Sequence, residues 1–181
     1  MFKYSCLLLF FCTLLFSCIK DTDFDQADAI TPSQEVEVNF IFFNLEIDDF
    51  QMDPLSEGSL TVIDTTEIRF LDDDFAIDNI VAAEFFFKFT NTFPLGLDAD
   101  FTFLSEENEP FYTINFPIQI SEDGNPVLTE FTQMVTGEDI ELLTQNDKVV
   151  VTITIQTENQ SLEGVLNLQS KATYFLEFSD L

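Results

Sequence analysis

The sequence predicts an all-β chain, a single antiparallel β-sandwich carrying one short helix. Three observations carry that expectation. Beyond the first thirty-odd residues, apolar and polar side chains alternate with a period of two. Phe occurs 23 times in 181 residues while Trp is absent, and many Phe stand two apart, as Phe85, Phe87 and Phe89 do. Segments of strand length are bounded by Asp, Asn, Gly or Pro, the residues that turn a chain.

Taken in order, the first candidate strand is 35–47. Its stretch from Val36 to Phe43 becomes apolar on both faces, the pattern of a central strand. Residues 59–64 and 66–71 follow as two short strands, then 80–90, whose stretch from Glu84 to Phe89 is again apolar on both faces. After 98–104 comes 111–120, where Tyr112, Ile114, Phe116, Ile118 and Ile120 share one face. Pro117 has no N–H to give to a ladder, so this strand belongs at an edge or at a bulge. Asp123-Gly124 marks the turn before 127–133. Thr136 then places a hydroxyl ahead of Glu138 and Asp139, with Ile140, Leu142 and Leu143 as a short apolar face. That pattern predicts a helix closing one end of the sandwich. Val149, Val151, Ile153 and Ile155 alternate with Val150, Thr152, Thr154 and Gln156, and the segments 161–169 and 171–179 complete ten strands. The stretch from Asn91 to Phe101, with Pro94 inside it, resembles the Asn-Pro-containing strand of sandwich domains of the late-embryogenesis-abundant type. The resemblance implies a β-sandwich and carries no activity with it.

Two segments precede the sandwich. Lys3 opens a short basic start, and Cys6 to Phe16 form an apolar run of secretory-signal length, short for a bilayer span. It ends in Leu15-Phe16-Ser17-Cys18, which resembles the lipobox of bacterial lipoproteins, with Leu three places before Cys and a small residue just before it. The resemblance implies that residues 1–17 are removed as a signal peptide and that Cys18 becomes the lipidated N-terminus. Cys6 and Cys12 lie in the part removed, so Cys18 is left without an intrachain disulfide partner, and acylation gives an exported lone cysteine its reason. Residues 18–34 then read as an acidic, weakly apolar tether, and 35–181 as one domain. Within the tether, Lys20-Asp21 followed by Asp23 resembles the Lys-plus-acidic signal of surface-exposed lipoproteins of Bacteroidota. That resemblance implies a lipid-anchored protein on the outer membrane facing the cell exterior.

Composition narrows the function. With 34 acidic and 6 basic residues the chain carries a net charge of −28, which excludes basic nucleic-acid binding. There is no His, so Ser-His-Asp and Cys-His catalysis and His-ligated zinc or iron sites are out. Without Trp, and with Tyr112 and Tyr174 as the only Tyr beyond the signal, stacking on sugars is weakly provided for. The acidic clusters are Asp72-Asp73-Asp74 with Asp78, Asp98 with Asp100, and Glu106-Glu107 with Glu109. Calcium takes six to eight oxygens from clusters of this kind, and Asp72, Asp73, Asp74 and Asp78 are the candidate ligands; solvated loop charge is the competing reading.

Three functions remain. The first is a non-enzymatic binding or assembly module at the cell surface, held to the membrane by its lipid and meeting a protein or glycan partner. The second is a carrier of an apolar ligand between Phe-rich sheets. The third is a hydrolase built on two carboxylates, for which no pair stands out.

Overall fold

The computed structural model describes residues 32–52, 58–68, 74–157 and 162–178. Residues 33–181 form one compact unit. The strands are β1 (Ser33–Glu46), β2 (Gln51–Met52), β3 (Leu60–Glu67), β4 (Ile80–Asn91), β5 (Leu97–Leu104), β6 (Pro110–Ile118), β7 (Val127–Thr136), β8 (Lys148–Ile155) and β9 (Val165–Glu177). Two short helices, α1 (Asp74–Asn79) and α2 (Glu138–Leu143), precede β4 and β8, and a 3-10 turn (Ile47–Asp49) separates β1 from β2. One sheet has the order β1-β9-β4-β7 and the other β2-β3-β8-β5-β6, with every pairing antiparallel. The fold is the all-β sandwich that the alternation predicts.

Inward side chains of both sheets mesh into one core. Phe85, Phe87 and Phe89 of β4 and Phe101 and Phe103 of β5 are fully buried. Phe87 meets Phe101 with ring centroids 4.3 Å apart, and Phe116 meets Phe131 at 4.4 Å. Each ring taken out of water contributes roughly 1.5–3 kcal/mol, so the Phe-rich strands supply most of the driving force for closing the sheets.

The second-sheet edge at β6 fits Pro117. It stands opposite Asp98 on β5 and needs no partner on its other side, which is where a strand tolerates a missing N–H.

Several elements differ from the sequence-based expectation. The segment from Val36 to Phe43 is in an edge strand, not a central one. Two residues of β1, Phe40 and Ile41, stand opposite the single Ser170 of β9, because the register slips between Asn39 and Phe42. Alternation changes phase at this bulge: Val36, Val38 and Phe40 lean inward before it, Ile41, Phe43 and Leu45 after it. A strand with a phase change looks apolar on both faces when read as an unbroken period. Buried Ser170 serves the unpaired backbone: the Ile41 N–H donates to its Oγ at 2.8 Å, and that hydroxyl donates to the Ile41 carbonyl at 2.9 Å.

The expected segments 161–169 and 171–179 run together in the single strand β9 (Val165–Glu177), and 59–64 and 66–71 in the single strand β3 (Leu60–Glu67), with 69–71, 161 and 179 outside the described residues. Thr65 and Ser170, which look like breaks, both keep cross-strand partners. The expectation of one helix becomes two, since Asp74–Asn79 takes up a helical turn where a loop was expected. The helix at Glu138–Leu143 is present and buries Ile140 and Leu143, but Thr136 does not cap it. Thr136 ends β7, and the N-cap is Gly137 at φ 62°, a left-handed turn that carries the chain directly from strand to helix. β2, only two residues long, has no readable period.

Asn91 and its neighbours tie the crossover from β4 to β5. Buried at the end of β4, its Nδ2 donates to the Gln119 carbonyl at 2.7 Å and lies 3.4 Å and 3.5 Å from the Phe93 and Leu95 carbonyls. Its Oδ1 accepts the Phe93 N–H at 2.8 Å. Gly164 lets β9 begin against this turn, because a Cβ there would sit 2.5 Å from the Phe93 ring and 2.9 Å from its Cα.

Tyr174 lies among the inward side chains of β9, and burial pushes its phenol well above the ordinary value. The folded state therefore keeps this proton where the unfolded chain, with a pKa of about 10, gives it up. Stability from this group is full below about pH 10 and falls as the pH rises beyond it. In an alkaline titration followed by phenolate absorbance, Tyr174 is expected to ionise only as the protein unfolds. Tyr112 is raised by partial burial first and by the Asp139 charge second, against a lowering hydrogen bond with Gln133, and ionises ahead of it. A Tyr174 phenolate formed with the fold intact would contradict the tight packing around it.

Candidate functional site

The bulge in β1 sets up the first candidate surface. By shifting the phase it turns Phe42 outward, onto the solvent face of the β1-β9-β4-β7 sheet, where the ring is 56% exposed. Cross-strand register then gathers neighbours around it. Phe42 stands opposite Gln169, Asn39 opposite Lys171, Phe86 opposite Lys171, and Lys88 opposite Gln169. Together with Ser170, which lies between Gln169 and Lys171 with its side chain turned inward, these residues line a shallow pocket of about 190 Å³. Leu128 and Met134 of β7 leave further apolar surface exposed along the same sheet.

Carboxylates stand beside the cations of this face: Glu130 is opposite Lys88, and Glu37 and Glu84 flank Thr173, two residues from Lys171. Lys88, Lys148 and Lys171 are the basic residues among those described, and two of the three stand here in a chain of net charge −28. Lys171 is paired with Glu37, both well exposed, an interaction of at most about 1 kcal/mol that a competing carboxylate can displace. An apolar face with two ammonium groups can take up a surface that offers carboxylates beside apolar side chains.

The second surface lies at the side of the sandwich, where β1 and β3 are the facing strands. Phe43 and Leu45 of β1 and Val62, Ile63 and Asp64 of β3 surround a crevice of about 240 Å³, with Val151 and Ile153 at its floor and Asp49 from the 3-10 turn beside it. Asp49 Oδ2 accepts the Glu46 N–H at 2.8 Å, which closes that turn. Asp64 Oδ1 accepts the N–H of Thr65 at 2.9 Å.

Of the residues singled out from sequence, those described do not gather at one place. Cys18, Lys20, Asp21 and Asp23 lie outside the described residues, as do Asp72 and Asp73. Asp74 begins α1, and Asp78 near its end is exposed. Asp98 and Asp100 point outward from β5, and Asn115 of β6 donates a hydrogen bond to Asp100. Glu106, Glu107 and Glu109 are exposed in the β5–β6 loop. Among the described residues no three Asp, Glu or Cys side chains come together as a metal site. The signal that could have found the first surface is the presence of lysines at 88 and 171 inside strands otherwise rich in Phe, Leu and Thr.

The space between the sheets bears on the apolar-carrier expectation. Phe40, Phe85, Phe87, Phe101, Phe103 and Phe116 contact one another at centroid separations of 4.3–6.5 Å, so the middle of the sandwich is occupied by its own rings. No helix among the described residues is long and apolar enough to cross a membrane.

No protein-family model matches the sequence, and no curated protein matches it. Among solved structures, one similar chain is described as a secreted protein of Parabacteroides distasonis, 17% identical with a TM-score of 0.45, over 64% of this chain and 38% of that one. The T=1 particles derived from infectious bursal virus contain another, 11% identical with a TM-score of 0.50, over 80% of this chain and 32% of that one. The VP2 subviral particle of infectious bursal disease virus gives 13% identity and a TM-score of 0.46 over 80% and 33%. The chain thus spans about a third of the length of the chains it resembles. At these identities the likeness is one of fold, a two-sheet antiparallel sandwich.

Proposed function

We propose that the chain is an exported, lipid-anchored module that binds another macromolecule or assembles with it, and that it has no catalytic role. In this reading residues 1–17 are removed, Cys18 carries the acyl chains, and the segment from Cys18 to the start of β1 at Ser33 forms the tether. Several acyl chains hold such a protein firmly, at about 0.8 kcal/mol per buried methylene. Lys20, Asp21 and Asp23 direct it to the outer face of the outer membrane, and the tether spans at most about 50 Å when extended. The partner is a protein surface carrying carboxylates among apolar side chains.

The observation that carries the binding role is the outer face at Phe42, Phe86, Lys88 and Lys171. The Phe42 ring is exposed, and of the two cations Lys171 joins β9 to β1 only through the exposed pair with Glu37, while Lys88 stands opposite Glu130. Exposed apolar side chains on one face, Phe42 with Leu128 and Met134 further along the sheet, suit a contact surface.

A membrane-impermeant crosslinker applied to intact cells tests both parts. The wild type is expected to capture a discrete protein, and the double variant Phe42→Ser/Lys88→Glu to capture about tenfold less, the loss of one good interface contact. Equal capture by the variant, or recovery of abundant unrelated proteins alone, would refute the assigned face. Capture that begins only after the outer membrane is broken would refute surface display.

A further inference from the structure

We propose that two copies of the chain pair through the open edge of β7, antiparallel and centred on Phe131, so that their two four-stranded sheets join into one of eight strands. The pairing does not depend on a partner at the Phe42 pocket.

The first ground is that, among the described residues, β7 is the sheet edge that carries no guard. The two sheets end in β1, β7, β2 and β6. β1 carries Glu35, Glu37 and Glu46 and a bulge. β2 is two residues long, and beyond it the Thr65 N–H of β3 is taken by Asp64 Oδ1 at 2.9 Å. β6 carries Pro110 and Pro117. Charge, bulge, shortness and proline are the devices that keep a strand edge from templating another chain. β7 runs for ten residues without a proline or a register shift, and its single charge, Glu130, stands opposite Lys88 of β4.

The second ground is where the main chain of β7 points. Just past β4, the Thr92 N–H donates to the Val165 carbonyl of β9 at 3.0 Å, in the same register as the rest of that pairing. N–H groups alternate sides along a strand, so the even-numbered residues of β4 bond β9 and the odd-numbered ones bond β7. The register of β4 with β7 sets odd opposite odd. The N–H and C=O groups of Leu128, Glu130, Thr132 and Met134 are therefore turned to the open edge, and all four residues are exposed. The Met134 carbonyl takes Gln133 Nε2 at 2.9 Å, an exposed contact that leaves its second lone pair open.

Register selects the occupant. Hydrogen-bonded pairs across this edge must join these four residues to one another. Centred on Phe131, an antiparallel second copy sets Leu128 opposite Met134 and Glu130 opposite Thr132, and the two-fold axis repeats both pairs. Leu128 at 50% exposure and Met134 at 46% thereby cover each other. A shift of two residues one way sets Glu130 against Glu130 of the second copy. The opposite shift sets Glu130 against Met134 and Leu128 against Thr136. The register at Phe131 pairs both apolar side chains and keeps the carboxylates apart, which makes the edge complementary to itself.

The test uses the full chain in mild detergent, with Cys6→Ser, Cys12→Ser and Cys18→Ser, carrying either Leu128→Cys or Met134→Cys. A mild oxidant is added and disulfide-linked dimer is read on a non-reducing gel. In the proposed register the two new cysteines face each other, whereas like positions lie six residues apart along the edge, roughly 20 Å. A mixture of the two chains is expected to give about tenfold more linked dimer than either alone. Thr132→Glu, which sets its carboxylate against Glu130 of the second copy at both ends of the axis, is expected to lower the yield about tenfold, and Thr132→Lys to leave it at least equal. Thr132 is exposed, so both variants keep the fold, which a thermal melt verifies. Equal yields from the mixture and from either chain alone would reduce the linkage to random collision and overturn the proposal. So would the absence of linked dimer, a stronger link between Leu128→Cys and Thr136→Cys, or the same yield from Thr132→Glu as from Thr132→Lys.

Discussion

Phe87→Ala is expected to lower stability by about 4 kcal/mol, toward the upper end of what a buried ring costs. The ring is 0% exposed and touches rings from both sheets: Phe101 at 4.3 Å, Phe116 at 5.4 Å, Phe40 at 6.3 Å and Phe85 at 6.5 Å between centroids. Those neighbours are held by separate strands and cannot all move into the space left, so most of the cavity persists. Single domains have about 5–15 kcal/mol in hand, which makes this one change a large share of the total. Urea unfolding of the variant should show a lower midpoint with an unchanged slope. Phe86→Ala, one residue away on the outer face, should cost less than about 1 kcal/mol. Equal losses at the two positions would mean that the inward and outward rows are misassigned.

Asn91→Ala should cost about 3 kcal/mol although it removes little apolar surface. The side chain is buried and fully engaged, giving its amide to Gln119 and accepting from Phe93. Truncation leaves a donor and an acceptor of the main chain without partners inside the crossover, at roughly 1–3 kcal/mol each before relaxation. Asn91→Asp separates the two halves of the interaction. An ionised carboxylate keeps the acceptor for Phe93 but faces the Gln119 carbonyl with the same sign, so its folded pKa rises above the unfolded value of about 3.9. Relative to wild type, this variant should be less destabilised near pH 4 than at pH 7, since stability falls as the pH passes from the unfolded to the folded pKa. A flat difference across that range would place the Asn91 amide in solvent.

Alternation made most of the sandwich legible, because each inward side chain of a half-buried strand must be apolar whatever its neighbours are. Val149, Val151, Ile153 and Ile155 could be read this way, as could Phe85, Phe87 and Phe89. Pro117 signalled an edge by what its backbone lacks. Reading failed where the decisive partner is remote in sequence. The slip at Phe40 and Ile41 is resolved by Ser170, more than a hundred residues further on, and it decides that Phe42 faces out while Phe43 faces in. α1 is not legible because its Asp-rich start reads as loop, and β2 because two residues hold no period. Both candidate surfaces belong to this second class. Lys88 and Lys171 meet through register, and β3 becomes an edge only because the strand beside it is so short. Asp98 with Asp100, and Glu106, Glu107 and Glu109, are adjacent in the chain, and adjacency along a strand or an exposed loop does not converge on a point; Asp72 and Asp73 lie outside the described residues.

The pairing of Ser33 with Glu177 has a mechanical consequence. It makes the outermost strand the one that continues directly from the segment after Cys18, so a pull on that segment loads β1 rung by rung from its first pair rather than all rungs at once. Peeling of this kind yields at low force until it meets a stronger link. The first such link is the double hydrogen bond between Ser170 and Ile41, eight residues along. Under tension the domain would thus give up its first few rungs as slack and hold at the bulge, with the Phe-filled interior still closed.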